Sequence, residues 1–262
     1  MENIMRIIRL LNLVIIVILT WATPIRSQVM ADTSNSLNRA SAVNAEGVKE
    51  FKAARYQEAL ELFQRAARIN TSYPEPYNNL GVVYGILGQH SDAIAALRKA
   101  VKLNPSYAEA QYNLGGAYAN DRRHKEAIVT YNLAIKLRPN FAPAQNDLGV
   151  AYNNLGQYPE AVLAYRRAIE LKPDYAVAYN NLGTAQAELG RYGEAIKCFT
   201  RAVDLKPELA LAHYNLGVAS LQAKHRDQAF AQHQLLNALD HQLADKLYSG
   251  IYKGKVIMLA AR

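Results

Sequence analysis

Residues 176–209 read AVAYNNLGTAQAELGRYGEAIKCFTRAVDLKPEL, and this pattern returns every 34 residues on both sides of the stretch. The glycine at position 183 has counterparts at the same spacing, without insertion or deletion, at Gly47, Gly81, Gly115, Gly149 and Gly217. Ala195 recurs in the same way, and Pro207 has counterparts at Pro105, Pro139 and Pro173. A fixed period of this length predicts an array of structural repeats.

Each period contains two segments with helical spacing of small and apolar residues. The first segment runs through Ala178, Leu182, Ala185 and Leu189, and the second begins at Ala195. We expect Gly190 to end the first helix in a left-handed conformation, and the proline at the end of the period to stop the second helix. Because one helix pair cannot cover its own apolar face, neighbouring pairs must stack into a solenoid.

The order of residues within a period resembles that of the tetratricopeptide repeat family. The family pattern appears in the second unit as Tyr77, Leu80, Gly81, Tyr84, Ala93, Leu97 and Pro105. The resemblance covers about three-quarters of the chain. It implies an all-α fold, an α-α superhelix of about six 34-residue helix hairpins plus a C-terminal capping helix. It also implies binding of protein partners and no chemistry of its own.

The repeat register divides the chain into four parts. Residues 1–31 are interpreted as a signal peptide or membrane anchor, 32–39 as a linker, 40–241 as the repeats and 242–262 as the end of the capping helix and a tail. The repeat units are 40–73, 74–107, 108–141, 142–175, 176–209 and a degenerate 210–243. Since His241 replaces the last proline, we expect that helix to run on, with a stripe formed by Leu235, Leu239, Leu243 and Leu247.

The N-terminal segment has the pattern of a secretory signal. Arg6 and Arg9 precede an apolar run over residues 10–22, and Pro24 follows it. The run is shorter than the roughly 18 to 20 residues that span a bilayer comfortably. A cleaved signal places the repeats in the periplasm or outside the cell, and an uncleaved one would anchor them to the membrane by the N-terminal helix.

Charge and reactive residues argue against two classes of function. The formal net charge is +8, but no Arg/Lys stripe is interleaved with exposed aromatic residues, so we expect no nucleic-acid partner. The one cysteine, Cys198, has no partner for an internal disulfide. None of the six histidines lies in a His-Glu-x-x-His pair or at metal-ligand spacing from the cysteine. We therefore expect no metal site, no cofactor and no enzymatic activity.

Amide side chains instead cluster just before each Leu-Gly pair. In the family this part of the first helix faces the concave groove, and the repeats are similar to those of O-linked N-acetylglucosamine transferase, without its catalytic domain. That resemblance implies a groove that grips the backbone of an extended peptide, whereas the bland alternative is that these amides bond locally. The candidate groove residues are Asn78, Asn79, Tyr112, Asn113, Asn146, Asp147, Asn180, Asn181, Tyr214 and Asn215.

These observations favour a scaffold or adaptor that binds proteins or extended peptides, acting as an assembly factor outside the cytoplasm. The alternative is a non-catalytic subunit that positions substrate for an envelope transferase or synthase. Contact with a membrane is expected only through a retained N-terminal segment. The apolar tail around Val256 leaves a homo-oligomer open.

Overall fold

The computed structural model describes residue 32 and residues 34–253, and within them the only regular elements are α-helices. Residues 34–52 form α1. The remaining helices are α2 (Tyr56–Ile69), α3 (Pro74–Ile86), α4 (His90–Leu103), α5 (Ala108–Asn120), α6 (His124–Leu137), α7 (Ala142–Asn154), α8 (Tyr158–Leu171), α9 (Ala176–Glu188), α10 (Tyr192–Leu205), α11 (Ala210–Gln222), α12 (Arg226–Leu239) and α13 (His241–Lys253). The all-α fold class is confirmed.

The helices form two compact units, divided between Asn104 and Pro105. In the first unit α3 packs against α4, and α2 packs against α3. In the second unit the hairpins are α5–α6, α7–α8, α9–α10 and α11–α12, and the last helix of each packs on the first helix of the next. Five hairpins start at the residue that the 34-residue period indicates, because Pro74, Ala108, Ala142, Ala176 and Ala210 each begin a helix.

The first helix of each hairpin ends at a residue with positive φ. In the fifth hairpin Gly190 has φ 74°, its N–H bonds the Ala187 carbonyl at 2.8 Å, and the N–H of Arg191 bonds the Gln186 carbonyl at 2.9 Å. This pair of bonds is a Schellman motif, which satisfies carbonyls that the helix end would otherwise leave open. The same slot is occupied in the six hairpins by Ala54, Gly88, Arg122, Gly156, Gly190 and Lys224.

The glycine of each Leu-Gly pair leaves room for a large side chain. A Cβ added at Gly183 would lie 2.6 Å from a ring carbon of Phe199, which is fully buried in α10. Four other hairpins repeat this contact, between Gly47 and Phe63, Gly81 and Leu97, Gly115 and Tyr131, and Gly149 and Tyr165. The close approach therefore joins the two helices of one hairpin through a side chain packed on bare backbone.

The N-terminal boundary differs from the expected one. Residues 34–39 are helical and belong to α1 instead of forming a linker. The side chain of Asn70, at the end of α2, donates a hydrogen bond to Ser36 Oγ at 3.3 Å. The polar residues of this stretch therefore continue the helix, since α2 supplies a partner for them.

The C-terminal boundary also differs. α12 ends at Leu239, and α13 begins at His241 as a separate helix, so the expected continuous helix is wrong. Asp240 is extended, with φ −158°, and its Oδ1 accepts a hydrogen bond from the backbone N–H of Leu243 at 3.0 Å. A helix start of this kind needs no proline.

The break removes the expected leucine stripe. Leu247 is fully buried, whereas half of the Leu235 side chain is exposed. The apolar cluster that α13 completes contains Tyr214, Val218, Ala229, Leu236, Ala244, Leu247 and Ile251. α13 is thus the expected capping helix, although it is a separate helix and not a continuation of α12.

The predicted signal or anchor at 1–31 and residues 254–262 of the predicted tail lie outside the described residues. Among the helices of the described part, none is long and apolar enough to cross a membrane.

Candidate functional site

The ten predicted groove residues lie on the first helices of five successive hairpins, at the same two positions of each helix. They differ in exposure. Four of them are partly exposed: Asn79, Tyr112, Asn113 and Asp147. The other six are buried: Asn78, Asn146, Asn180, Asn181, Tyr214 and Asn215. Partner contact through the side chains as they stand is therefore restricted to the partly exposed four.

The buried amides bond to one another across neighbouring hairpins. Asn181 Nδ2 donates to Asn146 Oδ1 at 3.2 Å, and Asn215 Nδ2 donates to Asn180 Oδ1 at 3.0 Å. In the first unit Asn79 Nδ2 donates to Asn44 Oδ1 at 3.0 Å. Each bond joins residues 35 apart in sequence. These amide side chains thus form hydrogen bonds between one hairpin and the next, and so contribute to the stacking of the hairpins.

Bonds between adjacent residues of one helix connect these links into a series. Asn180 Nδ2 lies 3.5 Å from Asn181 Oδ1, and Asn146 Nδ2 donates to Asp147 Oδ1 at 3.0 Å. The donors therefore run in one direction, from α11 through α9 to α7. We call this series, which comprises Asn215, Asn180, Asn181, Asn146 and Asp147, the amide network.

Asp147 sets the direction of the amide network. An ionised carboxylate only accepts hydrogen bonds, so Asn146 must turn its amino group toward it and leave its Oδ1 for Asn181. On the other side, Tyr112 Oη donates to Asp147 Oδ2 at 2.7 Å. One carboxylate thus accepts from both directions and fixes the orientation of amides in three hairpins.

The environment of Asp147 is desolvated. Burial raises the pKa of its carboxyl group, and the hydrogen bonds from Tyr112 and Asn146 oppose this rise only in part. Burial also raises the pKa of the Tyr112 phenol, and the charge of Asp147 raises it further. In the hydrogen bond that joins the two side chains, the Tyr112 phenol is the donor and Asp147 Oδ2 is the acceptor.

Aromatic packing holds Tyr112 in place. Its ring centroid lies 5.9 Å from that of Tyr131 and 4.8 Å from that of Phe141. The Arg138 guanidinium lies over the Phe141 ring at 4.8 Å and forms an ion pair with Glu109. We call the partly exposed surface of Tyr112, Asn113 and Asp147 on α5 and α7 the polar patch.

Sequence reasoning missed two residues of these arrangements. Asn44 accepts the bond from Asn79, and subtracting one period from Asn78 would have found it. Leu247 fills the space beside Gly217, where the period places His233. No signal within one repeat identifies Leu247, because it comes from the helix after the array.

Reactive groups do not converge in the described part of the chain. No group of three or more His, Cys, Asp or Glu residues there is placed to hold a metal ion. Burial raises the pKa of the Cys198 thiol to about 11, which keeps it protonated at neutral pH. Both ring nitrogens of His213 are engaged, one with Gln232 Oε1 at 2.7 Å and the other with the Pro207 carbonyl at 2.9 Å.

Comparison with protein families finds the same repeat over residues 49–209. A family profile described as TPR repeat matches residues 49–88 and 151–190. Three profiles described as tetratricopeptide repeat match residues 78–142, 130–162 and 176–209. No curated protein matches the chain significantly.

Three solved structures with the same fold cover between 63% and 81% of this chain. A crystal structure of MamA is 30% identical, covers 63% of this chain and 96% of its own, and has a TM-score of 0.58. YrrB, described as a TPR protein with an unusual peptide-binding site, is 27% identical over 70% of this chain and 95% of its own, with a TM-score of 0.57. PilF of Pseudomonas aeruginosa is 16% identical over 81% of this chain and 98% of its own, with a TM-score of 0.71, a likeness of fold alone.

Proposed function

Because the chain belongs to the tetratricopeptide repeat family, we propose that it is a non-catalytic scaffold that binds an extended segment of a partner protein at the polar patch. The observation that carries this proposal is the exposure of Tyr112, Asn113 and Asp147 on the first helices of successive hairpins. They present hydrogen-bonding groups on one side of α5 and α7. The hydrogen bond from Tyr112 to Asp147 joins these two helices, and the buried amides join α7 to α9 and α9 to α11.

Two further observations support a peptide ligand. The patch combines an amide, a carboxylate and a phenol, and such groups bind the backbone and side chains of an extended chain. A peptide-binding site is also described for YrrB, which is similar to this chain over 70% of its length. An extended ligand that crosses from α5 to α7 would meet Tyr112 and Asn113 first and then Asp147.

The proposal extends to location and role. The basic head and apolar run of residues 1–22 favour export, and we place the scaffold outside the cytoplasm, in the periplasm or at the membrane surface. There it would act as an assembly factor for envelope or secreted machinery. Fractionation of cells that express the full chain tests this part, since recovery in the cytoplasm alone contradicts it.

Photo-crosslinking in cells tests the binding site. A photoreactive amino acid in place of Asn113 should crosslink a partner protein, whereas the same amino acid in place of Asn132 should not. Asn132 is a matched control, because it is an exposed asparagine of the same hairpin on α6, where its side chain bonds the Ile128 carbonyl. Equal crosslinking from both positions, or crosslinking from Asn132 alone, contradicts the proposed site.

A further inference from the structure

Asp147 departs from the rule that governs its position in the repeat. The equivalent residues of the neighbouring hairpins are Asn79, Asn113, Asn181 and Asn215, so Asp147 is the only carboxyl group in this slot of the second to sixth hairpins. An amide in this slot could still contact both neighbours. In the Asp147→Asn variant, the new Oδ1 would accept from Asn146 and the new Nδ2 would donate to Tyr112 Oη. The two hydrogen bonds at this slot therefore do not require a negative charge.

The described part of the protein also offers no cation that pairs with this carboxyl group. Within residues 34–253, no lysine or arginine forms an ion pair with Asp147. Cations on neighbouring segments are engaged elsewhere: Arg138 pairs with Glu109, and Lys172 lies over the Tyr175 ring at 5.1 Å. Each carboxylate oxygen accepts one bond, from Tyr112 or Asn146, and a carboxylate has about four acceptor positions. Asp147 thus retains acceptor capacity on a partly exposed surface.

We propose that Asp147 binds an arginine or lysine side chain of the partner segment, and so selects partners that carry a cation at that point. This inference rests on the proposed peptide-binding function and names the ligand chemistry of the same patch. The hydrogen bonds from Tyr112 and Asn146 hold the carboxylate in a fixed orientation before the ligand arrives. Because Tyr112 donates a hydrogen bond to Asp147 Oδ2, a cation bound to this carboxylate would also lie beside the Tyr112 ring.

The cost of ionising Asp147 in the folded protein favours a role in binding over a role in stabilising the fold. Burial raises the pKa of Asp147, so its ionisation costs folding free energy as pH rises through that pKa. A cation from the ligand would offset this cost, and the charge would then contribute to affinity. The titratable groups around Asp147 are Tyr112 of α5, Tyr131 of α6, Tyr165 of α8 and Tyr175 ahead of α9. These four phenols carry no charge at pH 7 or below. Protonation of Asp147 is therefore the change among these groups that would weaken cation binding when the pH is lowered.

Selection from a phage-displayed library of random dodecapeptides tests the inference on the full chain. We expect the wild-type protein to select peptides enriched in Arg or Lys at one position, and the Asp147→Asn variant to lose that enrichment. Glu170→Gln is the control, because this exposed carboxyl group on α8 is paired with Arg167 and its loss leaves the Arg138–Glu109 pair intact. The control variant should keep the preference of the wild type.

Binding constants of one selected peptide give the second readout. Replacing its cationic residue by norleucine should weaken binding to the wild type by about tenfold or more, and leave binding to Asp147→Asn nearly unchanged. Affinity for the wild type should fall as the pH drops below neutrality, while the variant should show no such dependence. An equal loss for both proteins overturns the inference.

Stability measurements separate a binding effect from misfolding. Asp147→Asn removes the cost of the buried charge, so its free energy of unfolding should be at least that of the wild type at neutral pH, and the difference should vanish in acid, where the carboxyl is protonated in both states. Selection of peptides without any cation preference contradicts the inference but leaves the proposed function intact. Failure of the wild type to select any peptide contradicts both.

Discussion

The fifth and sixth hairpins share one backbone pattern but fill the same space from different places. In the fifth, the space beside Gly183 is occupied by Phe199, from the second helix of the same hairpin. In the sixth, the space beside Gly217 is occupied by Leu247, which belongs to α13. The period puts His233 where the fifth hairpin has Phe199, and the His233 ring instead lies 5.4 Å from that of Tyr248.

This difference shows how the last hairpin of the array completes its core. A hairpin inside the array completes its own core, whereas the last one borrows a side chain from the helix that follows it. We therefore expect the stability of the sixth hairpin to depend on α13. The capping helix contributes a core residue as well as a cover.

Truncating the two filling side chains should have the largest effect. We expect Phe199→Ala to lower the free energy of unfolding by about 3–5 kcal/mol and Leu247→Ala by about 2–5 kcal/mol, because each leaves a cavity against bare glycine backbone. Denaturant titration measures the losses. Hydrogen exchange should show the loss of protection around α9 and α10 for Phe199→Ala, and in α11 to α13 for Leu247→Ala.

Leu235→Ala is the control for this pair. Leu235 is half exposed on α12, so its truncation should change the free energy of unfolding by no more than about 0.5 kcal/mol. If Leu247→Ala has as small an effect as Leu235→Ala, the sixth hairpin does not depend on α13.

Adding a methyl group to the glycines should have a smaller effect. Gly183→Ala and Gly217→Ala should each lower the free energy of unfolding by about 1–3 kcal/mol, since the new Cβ would overlap Phe199 or Leu247. The rigid ring makes the change at Gly183 the more costly of the two. Thermal unfolding of both variants gives the comparison.

Gly193→Ala is the matched control in the fifth hairpin. A Cβ at Gly193 meets no atom within 4 Å, and alanine favours the helix, so this variant should gain up to about 1 kcal/mol. Destabilisation of Gly193→Ala to the extent of Gly183→Ala would mean that backbone freedom, rather than overlap, explains the glycines.

Exchanging the residues that end the first helices should have the smallest effect. Lys224 in the sixth hairpin has φ 63°, while Gly190 in the fifth has φ 74°. Lys224→Gly should raise the free energy of unfolding by about 0.5–1 kcal/mol, and Gly190→Lys should lower it by about 1 kcal/mol, because only glycine adopts this conformation without strain. Urea titrations of the single variants and of the double exchange measure both signs. Two changes of the same sign would contradict this explanation.

The sequence predicts the repeat architecture because the residues that end its helices act locally, within one period. Gly190 and Pro207 determine where helices end within one period, and their recurrence extends that interpretation to the other hairpins. The helix starts at Ala108, Ala142 and Ala176 follow directly.

The irregular ends are less predictable. Residues 34–39 look like a linker in isolation, but they are helical and Ser36 accepts a hydrogen bond from Asn70, 34 residues away at the end of α2. Asp240 starts α13 by capping Leu243, whereas the missing proline suggested continuity. Both outcomes depend on contacts that periodicity does not describe.

The candidate site was predictable in position but not in exposure. The period aligns the amides of each first helix, so their common side follows from sequence. Whether Asn180 meets solvent depends on Asn215, a residue 35 positions away on the next hairpin. A helical projection of one hairpin contains no information about that neighbour, which is why six of the ten residues prove to be buried.

The direction of the amide network limits how the protein can change its length. A duplicated copy of the fifth hairpin, inserted after the fourth or the fifth, would bring Asn180 and Asn181 against asparagines and preserve every link. Insertion between the third and the fourth would instead pull the phenol of Tyr112 away from the carboxyl of Asp147. Recombination could therefore lengthen the C-terminal side of the array freely, while the junction that carries the charge stays in a single copy.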